Sequence, residues 1–562
     1  MTTEPMPPER QYAVQLVGPG ELELNRDKKV PRPGAHQMVG QVEAVGLCFS
    51  DLKLLKQFAG HARKSEVTEG LKEDVLEEIP SYVPGGAPTV PGHEALVRIV
   101  AAGEQVRHHE VGKRYLVQAD YRHLRTEGAS AGFGYNFEGA LQQYVLMDER
   151  VVMTPEGESL LIEVDGEPGA SEVALVEPWA CVEDSYVNSE RPWLKAGGQL
   201  LVVAEAGRRL EGIEEAFEEA GIPAGISGIC ADGGQQVVLE GFGAPVTLFG
   251  HITDLPDHTF DDIIYFGADA QAIEAMDAKL AQGGMLNIVT GGEKVDAPVS
   301  MDLGRVHYGM TRWIGTNGHG AAEAYAHIPM TGEVRDGDRV LVVGAGGPMG
   351  QMHVIRNICS GRKHLSIYAS DFDDARLAAL EKKARPLAEA CGVRLRVVNP
   401  QKEQLDERFT YIALMAPLAG LVAEAVRNSA PGCLVNIFAG IPAGTRHELD
   451  LDTYIAHRCF MFGTSGSTLE DMRIVLGKVA EGQLDTNTLV DAVSGMAGAI
   501  KGIQAIEERS LAGKIIVYPA LAEMGMIPLE ELEQHYPTVA QKLKGGVWTK
   551  EAEAELLRVA AS

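Results

Sequence analysis

The chain has 562 residues, of which 45% are hydrophobic and 23% charged, and its formal net charge is −29. These proportions are ordinary for a globular protein, and at roughly 100 to 200 residues per domain they predict about three or four domains. A strongly negative charge repels nucleic acid and anionic membranes, so neither is expected as a partner. An anionic substrate would need a locally basic pocket.

The N-terminal sequence MTTEPMPPERQY lacks the basic and apolar regions of a signal peptide. No stretch of the chain reaches the ~20 apolar residues that a membrane span needs. Seven cysteines are scattered from Cys48 to Cys459 without a C-x-x-C pair. An odd, scattered set suits a reducing compartment better than a disulfide framework, and we therefore expect a cytoplasmic protein.

In chain order, the first part, to about residue 190, is rich in short apolar runs bounded by turn residues, such as HQMVGQVEAVGLC and EALVRIVAAG. Such runs predict β-strands. Residues 59–90 interrupt them with a charged, Gly- and Pro-containing stretch that we expect to be an exposed insertion, or a surface helix with loops, without chemistry. From about residue 195 strands alternate with helices, the pattern of a doubly wound parallel sheet. Beyond residue 520 a helical tail with periodic leucines follows.

The α/β part of the chain repeats itself. KAGGQLLVV at Lys195 resembles RDGDRVLVV at Arg335, a step of 140 residues, and GGMLNIVTGG resembles PGCLVNIFAG. Endings in GTNG and GTSG place Gly315 and Gly463 at equivalent positions, 148 residues apart. Three matched segments in the same order predict a tandem duplication of a nucleotide-binding domain. The alternative is that all parallel α/β units have similar composition.

The second copy carries a glycine-rich turn directly after an apolar strand and before a helix. Its sequence GAGGPMG contains Gly344, Gly346, Gly347, Pro348, Met349 and Gly350. Glycines let the backbone approach a pyrophosphate, which can then sit against the N–H groups of the helix N-terminus. Asp371 ends the next strand, where a carboxylate suits the ribose hydroxyls of NAD(H) and repels the extra phosphate of NADP.

The first copy differs at the same place. Its turn, LLVVAEAGRRLEG, has only Gly207 together with Glu205, Arg208 and Arg209. A carboxylate and bulky side chains oppose pyrophosphate binding. We therefore expect this copy to bind no dinucleotide and to have a structural role.

The N-terminal part contains a possible zinc ligand set. GLCFSD places Cys48, Ser50 and Asp51 together, PGHE follows with His93 and Glu94, and LVEPWAC adds Glu177. Each has an ordinary explanation, since a cysteine is usually core, a histidine is usually structural and a glutamate can cap a helix. A thiolate, an imidazole and a carboxylate are nevertheless the ligands that suit zinc with one open position.

C-x-S-D, then G-H-E, then E-P resemble the zinc-dependent medium-chain dehydrogenase/reductase family, especially its sorbitol-dehydrogenase-like branch. YLVQADY, GYNFEGALQQYV, ALVEPWACV and the GGPMG turn are most similar to its sorbose-1-phosphate reductase group. The resemblance implies an α/β protein with a GroES-like, β-rich catalytic domain and two tandem Rossmann-type domains. The boundaries expected are 1–190 for the catalytic domain, 191–320 for the degenerate copy, 321–475 for the NAD-binding copy, and 476–562 for the return to the catalytic domain with its tail.

The resemblance also assigns roles to the site residues. Cys48 and His93 would ligate one catalytic zinc, and either Glu94 or Glu177 would be the carboxylate ligand, with the other beside it. Ser50 would relay the substrate proton and Asp51 would orient His93. The family's four-cysteine structural zinc lobe has no counterpart, because residues 95–150 contain no cysteine.

The expected function is hydride transfer between NAD(H) and a polyol, ketose or sugar phosphate. The alternatives are a simple alcohol or aldehyde dehydrogenase and a non-catalytic NAD-sensing protein. The polar segments GYNFE and QADYRH argue against a simple alcohol or aldehyde dehydrogenase, which would have an apolar pocket. The expected assembly is either a monomer in which the two α/β copies pair around Gly315 and Gly463, or a homo-oligomer.

Overall fold

The computed structural model describes residues 7–166, 168–217 and 221–560. The chain divides into two compact units, one formed by Met1–Glu183 with Gly466–Ser562 and the other by Asp184–Ser465. Within the described ranges, no helix combines the length and the apolar character that crossing a bilayer requires. The finer domain boundaries set out above stay predictions.

The first unit is built on an eight-stranded, mainly antiparallel sheet. Strand Tyr144–Asp148 pairs with Gln37–Gly46 beside the main path. Almost every side chain of Gln37–Gly46 is buried, as expected for a strand with neighbours on both sides. The main path runs in the order Leu161–Val164, Arg114–Val117, Glu94–Ala102, Gln37–Gly46, Lys514–Val517, Val490–Ser494, Ile527–Pro528.

Within the described residues, two smaller sheets and ten helices complete this unit. The smaller sheets are the hairpin Arg10–Gly18 with Glu21–Lys29, and Val67–Glu69 with Asp120–Thr126 and Ala129–Gly132. The helices are Phe49–Gln57, Glu73–Glu77, Glu149–Val152, Ala170–Ala174, Val176–Val187 (which runs on into the second unit), Leu469–Ala480, Met496–Glu507, Leu532–His535, Pro537–Ala540 and Lys550–Ala560.

The segment 59–90 is more closely integrated than the sequence suggested. Lys64 is fully buried, and its ammonium group donates hydrogen bonds to the carbonyl oxygens of Val83 and, at 2.9 Å, Ala87. A buried lysine is retained only where its donors are satisfied, so this side chain ties the two ends of the segment together. Most other side chains of residues 59–78 are exposed or half-buried, and the short helix Glu73–Glu77 lies among them, so the expected surface insertion is present but is anchored by Lys64.

The C-terminal tail is attached by polar groups as well as by apolar packing. The Glu553 carboxylate accepts hydrogen bonds from the backbone N–H groups of Ala170 (2.6 Å) and Ser171 (2.8 Å) and from the Tyr518 hydroxyl (2.9 Å). Trp548, fully buried, donates to the same hydroxyl. The tail thus caps helix Ala170–Ala174, and a carboxylate at a helix N-terminus satisfies N–H groups that have no partner inside the helix.

The second unit holds two six-stranded parallel sheets with the same strand order. The first sheet runs Val246–Leu248, Gly225–Cys230, Gln199–Ala204, Phe260–Phe266, Leu280–Val289, Arg312–Thr316. The second runs Arg394–Val398, Ser366–Ser370, Arg339–Val343, Phe409–Leu414, Ser429–Ile437, Phe460–Phe462. Two copies of one doubly wound topology in tandem are what the internal repeat predicts, and the fold class is confirmed.

The helices of the two copies differ at one decisive place. Those of the first copy are Gly233–Glu240, Ala270–Asp277, Leu303–Tyr308 and Ala322–Tyr325, and those of the second are Pro348–Ile358, Asp374–Cys391, Ala419–Arg427 and Leu451–Ala456. In the second copy an 11-residue helix joins the first two strands. In the first copy the described part of this connection holds only the 3-10 turn Glu214–Ala216.

The two copies pair with each other through equivalent elements. Strand Val299–Asp302 of the first copy pairs antiparallel with Arg446–Leu449 of the second. The ends of the last strands also meet, because a Cβ atom on Gly315 would lie 2.8 Å from Ile455 and one on Gly463 would lie 3.0 Å from His307. The segments around Gly315 and Gly463 are therefore in the contact, as their sequence similarity suggested, and one apolar core extends across both copies.

Candidate active site

Three side chains of the first unit form a cluster with the spacing of a metal centre. Cys48 precedes helix Phe49–Gln57, and His93 and Glu94 stand at the start of strand Glu94–Ala102. One ligand atom from each of these residues lies within 4.8 Å of the other two. Across the described ranges this is the only such group of three His, Cys, Asp or Glu side chains. The sequence placed all three residues in a zinc site, and the fold brings them together.

Asp51 and Ser50 fix the cluster from the first turn of helix Phe49–Gln57. One oxygen of the Asp51 carboxylate lies 3.2 Å from His93 Nδ1, and the other accepts a hydrogen bond from the Cys48 N–H at 3.1 Å. This leaves His93 Nε2 as the nitrogen available to a metal. Burial opposes protonation of His93, but Asp51 and Tyr135 outweigh it and raise the pKa of the imidazole well above its usual value. Ser50 Oγ lies 3.4 Å from Cys48 Sγ.

Glu94 is held by a lysine that the sequence did not identify. Lys514, 5% exposed, forms an ion pair with one carboxylate oxygen of Glu94 and donates to the carbonyl of Leu47 at 2.9 Å. The other oxygen, Oε2, is buried and has no hydrogen-bond partner among the described residues. Gly46 provides the space for it, because a Cβ atom there would overlap Oε2. A buried carboxylate oxygen without a partner is costly unless a cation or a donor occupies the site.

Glu177 faces this cluster from helix Val176–Val187 but is not one of the three grouped ligands. Its carboxyl accepts a weak hydrogen bond from Cys181, one turn later, at 3.8 Å. Burial raises the pKa of Glu177 to about 7, with His93 lowering it and Glu94 raising it. In this geometry Glu94 is the nearer carboxylate and Glu177 stands beside it.

A polar wall beside the cluster was not predicted from the sequence. The ring of Tyr135 lies 5.9 Å from that of His93 and 5.2 Å from that of His61, measured between centroids. The Arg63 guanidinium sits 4.6 Å above the Tyr135 ring and pairs with Asp120. His61 and Arg63 belong to the segment to which no chemistry was assigned, and the polar GYNFE sequence around Tyr135 was the one signal pointing here.

The glycine turn of the second unit has the geometry of a pyrophosphate loop. Gly344 follows strand Arg339–Val343 in a left-handed conformation, with φ of 83°, and Gly347 precedes helix Pro348–Ile358. Pro348 occupies the first turn of that helix, where its missing N–H costs nothing, and Met349 follows it. A Cβ atom on Gly350 would overlap the Gly344 carbonyl, so helix and turn approach closely only with glycine there.

Asp371 follows strand Ser366–Ser370 and contacts this turn directly. One of its oxygens accepts a hydrogen bond from the Gly346 N–H at 2.9 Å, and the other accepts from the Asp373 N–H at 3.1 Å. Gly346 also lies close to Arg376, because a Cβ atom on Gly346 would be 2.8 Å from Arg376 Cβ. The carboxylate thus lies beside the glycine turn, at the end of the second strand.

The corresponding place in the first copy is filled by its own side chains. The Glu205 carboxylate accepts hydrogen bonds from the Tyr265 hydroxyl and from the N–H groups of Ala268 (3.2 Å) and Asp269 (3.3 Å). Arg208 donates to the Thr290 carbonyl at 2.7 Å and also pairs with Glu205. These donors are already satisfied, so the turn offers little to a phosphate.

Comparison with known proteins supports the class that this geometry defines. Residues 34–156 match the family described as Alcohol dehydrogenase GroES-like domain. The fold resembles the crystal structure of 2R,3R-butanediol dehydrogenase from Bacillus subtilis, with a TM-score of 0.52 and 14% identity over 91% of this chain and 99% of that chain. The chain thus contains a GroES-like alcohol dehydrogenase domain over residues 34–156 and shares the fold of a solved dehydrogenase, in agreement with the resemblance seen in the sequence.

Two relatives have names that give a narrower substrate class. The chain is 24% identical to mannitol-1-phosphate 5-dehydrogenase of Aliivibrio fischeri over 379 residues, which is 61% of this chain and 83% of that protein. It is also 24% identical to L-sorbose 1-phosphate reductase of Klebsiella pneumoniae over 347 residues, 57% of this chain and 78% of that protein. Both relatives are oxidoreductases of phosphorylated polyols or ketoses by name.

Proposed function

We propose that this protein is a zinc-dependent oxidoreductase that transfers hydride between NAD(H) and a polyol, a ketose or one of their phosphates. The proposal rests mainly on the cluster of Cys48, His93 and Glu94. In this cluster, the buried Oε2 atom of Glu94 has no hydrogen-bond partner among the described residues. The names of the two relatives support a polyol or ketose substrate, with or without a phosphate. The seven free cysteines support a cytoplasmic location.

The donor set fits zinc. Cys48, His93 and Glu94 would hold the ion, which leaves a fourth position open, and Glu177 is the alternative carboxylate ligand. When bound, zinc supplies Lewis acidity that stabilises negative charge on the substrate oxygen. Cys48 must lose its proton and His93 must be neutral to serve as ligands, so metal uptake releases protons.

The side chains of the chain itself supply orientation and proton transfer. Asp51 would accept a hydrogen bond from His93 Nδ1–H and so fix the imidazole tautomer. Ser50, whose hydroxyl lies beside Cys48, would relay the proton of the substrate hydroxyl in the oxidative direction, accepting that proton while its own hydroxyl proton passes on to solvent. Lys514 keeps one oxygen of Glu94 occupied, so the carboxylate presents its other oxygen to the cluster.

The cofactor would bind in the second unit at Gly344–Gly350. The backbone N–H groups at the start of helix Pro348–Ile358 would bind the pyrophosphate, and Asp371 would accept hydrogen bonds from the ribose hydroxyls. The first copy would bind no dinucleotide, because its turn is filled by Glu205 and Arg208 and the described part of its connection lacks the corresponding helix.

The test combines metal analysis with an activity screen over polyols, ketoses and their phosphates. We expect about one zinc per chain and turnover with at least one substrate of this class. Cys48→Ala should lose the zinc and the activity, whereas Cys391→Ala, which alters an exposed cysteine, should keep both. Cys48→Ala should still bind NADH, as measured by calorimetry. A fully active, zinc-free protein would overturn the proposal.

A further inference from the structure

Tyr135 is positioned rigidly at the edge of the proposed metal centre. Its carbonyl accepts a hydrogen bond from the Thr89 hydroxyl at 2.8 Å. The neighbouring Asn136, fully buried, accepts from the Gly132 N–H and donates to the Ser65 carbonyl, both at 3.0 Å. The loop is therefore fixed on both sides, and the Tyr135 ring is set between His61 and His93.

The hydroxyl of Tyr135 has no hydrogen-bond partner in the described ranges, although the residue is only 4% exposed. Burial raises the pKa of this hydroxyl, and His93 and Arg63 lower it while Asp51 and Cys48 raise it. The charged groups that face the hydroxyl are thus those of the metal cluster and its polar wall. A hydroxyl that a bound substrate covers is costly when it lacks a partner.

Two further donors flank Tyr135. Arg63 Nη2 is directed to Asp120 and to the Ala131 carbonyl, but Nε and Nη1 have no acceptor within the part of the chain that the structure describes. His61 Nδ1 accepts from the Arg63 N–H at 3.2 Å, and burial, Arg63 and Lys53 lower the pKa of His61 to about 4. His61 is therefore neutral at neutral pH and carries its proton on Nε2.

We infer that Tyr135 is a specificity-determining residue, whose hydroxyl donates a hydrogen bond to the substrate oxygen on the carbon next to the reacting one. The substrate class is then a vicinal diol or polyol in the oxidative direction and an α-hydroxy ketone in the reductive direction. Arg63 and His61 provide donors for oxygens further along the same molecule. This inference rests on the proposed function. It adds that the polar wall recognises the substrate oxygens next to and beyond the reacting carbon.

The wall offers several hydrogen-bond donors to uncharged oxygens. Asp120 pairs with Arg63 and also lies 3.9 Å from Arg122, and His61 is uncharged. A neutral oxygen accepts from such donors at little desolvation cost. A simple alcohol would leave the Tyr135 hydroxyl without its partner.

The test compares propane-1,2-diol with propan-2-ol, which share a secondary alcohol and differ in one neighbouring hydroxyl. Tyr135→Phe removes the Tyr135 hydroxyl and retains the ring between the two histidines. Tyr121→Phe is the matched control, because Tyr121 is equally buried in the same apolar core and burial alone raises its pKa. Binding of both alcohols is measured from the visible spectrum of the cobalt-substituted protein, and kcat/KM is measured with the zinc form.

We expect the wild type and Tyr121→Phe to favour the diol by about 10- to 100-fold in affinity and in kcat/KM, since the mono-alcohol leaves a donor unpaired. Tyr135→Phe should bind a normal amount of metal and lose most of this preference. Equal affinity of the wild type for the two alcohols, or an unchanged preference in Tyr135→Phe, would overturn the inference. Failure of the proposed function is distinguishable, because the wild type would then bind no metal and oxidise no polyol.

Discussion

The buried ion pair of Lys514 and Glu94 allows the proposed metal centre to be tested through the stability of the first unit. Lys514 comes from strand Lys514–Val517 and Glu94 from strand Glu94–Ala102, and their side chains are 5% and 0% exposed. Burial disfavours the charged form of Lys514, but the neighbouring Glu94 outweighs this and raises the pKa of the ammonium group. The Lys514 ammonium group is therefore positively charged in the folded protein, beside the buried Glu94 side chain.

Lys514→Met keeps the length of the side chain and removes its charge. The variant leaves the Glu94 carboxylate buried without its counter-ion, and breaking such a pair on one side costs about 3–5 kcal/mol in the free energy of unfolding. Zinc bound at Glu94 would supply the missing positive charge. We therefore expect the loss to be smaller in the zinc-bound protein by about 1.5–3 kcal/mol, the range of a hydrogen bond to a charged group.

The assay is chemical denaturation of wild type and Lys514→Met, each with EDTA and with stoichiometric zinc. Lys113→Met is the control, since Lys113 pairs with Glu163 on the surface and should show little change in either condition. An equal loss with and without zinc would show that Glu94 and the metal do not interact. No loss in EDTA would show that the buried pair is not charged.

Two predictions concern the second unit. The protein should have a higher kcat/KM with NADH than with NADPH, because the 2′-phosphate of NADPH would meet the Asp371 carboxylate. Asp371→Ser should reduce this preference. Calorimetric titration should give one bound dinucleotide per chain. Burial raises the pKa of Asp262 to about 6 from 3.8, so the folded state holds this proton more tightly than the unfolded state. Stability should therefore fall by up to about 3 kcal/mol as the pH rises from about 4 to 6, and thermal unfolding of Asp262→Asn should lack this component.

Much of the site was accessible from local sequence because its signals are short. The glycine turn at Gly344–Gly350 and the adjacent Cys48, Ser50 and Asp51 are each contained in one segment. Parallel strand order follows from the alternation of strands and helices, which is why the two Rossmann-type sheets could be predicted. Cys48, His93 and Glu94 were joined by their donor types and by the resemblance, since spacing alone does not bring distant segments together.

The features of the site and fold that the sequence did not predict depend mostly on contacts between distant segments. Lys514 lies 420 residues from its partner Glu94, and no periodicity relates the two positions. Arg63 was missed because residues 59–90 have the composition of an exposed loop, whereas the fold pairs Arg63 with Asp120 beside Tyr135. The absence of the first helix from the described connection of the degenerate copy was also missed, because a changed glycine turn does not reveal whether a helix follows.

The two α/β copies differ where a dinucleotide would bind and agree where they meet. The second copy has the glycine turn and the helix that presents free N–H groups, whereas the first fills the same corner with Glu205. At the contact, Gly315 lies in the last strand of the first copy and Gly463 directly follows that of the second, and both allow a close approach that a side chain would prevent. A parallel sheet ends in an edge strand with unpaired backbone groups, and this edge must be covered or paired. The first copy covers the edge of the second within one chain, which is a sufficient physical reason for a nucleotide-type domain that we expect to hold no nucleotide.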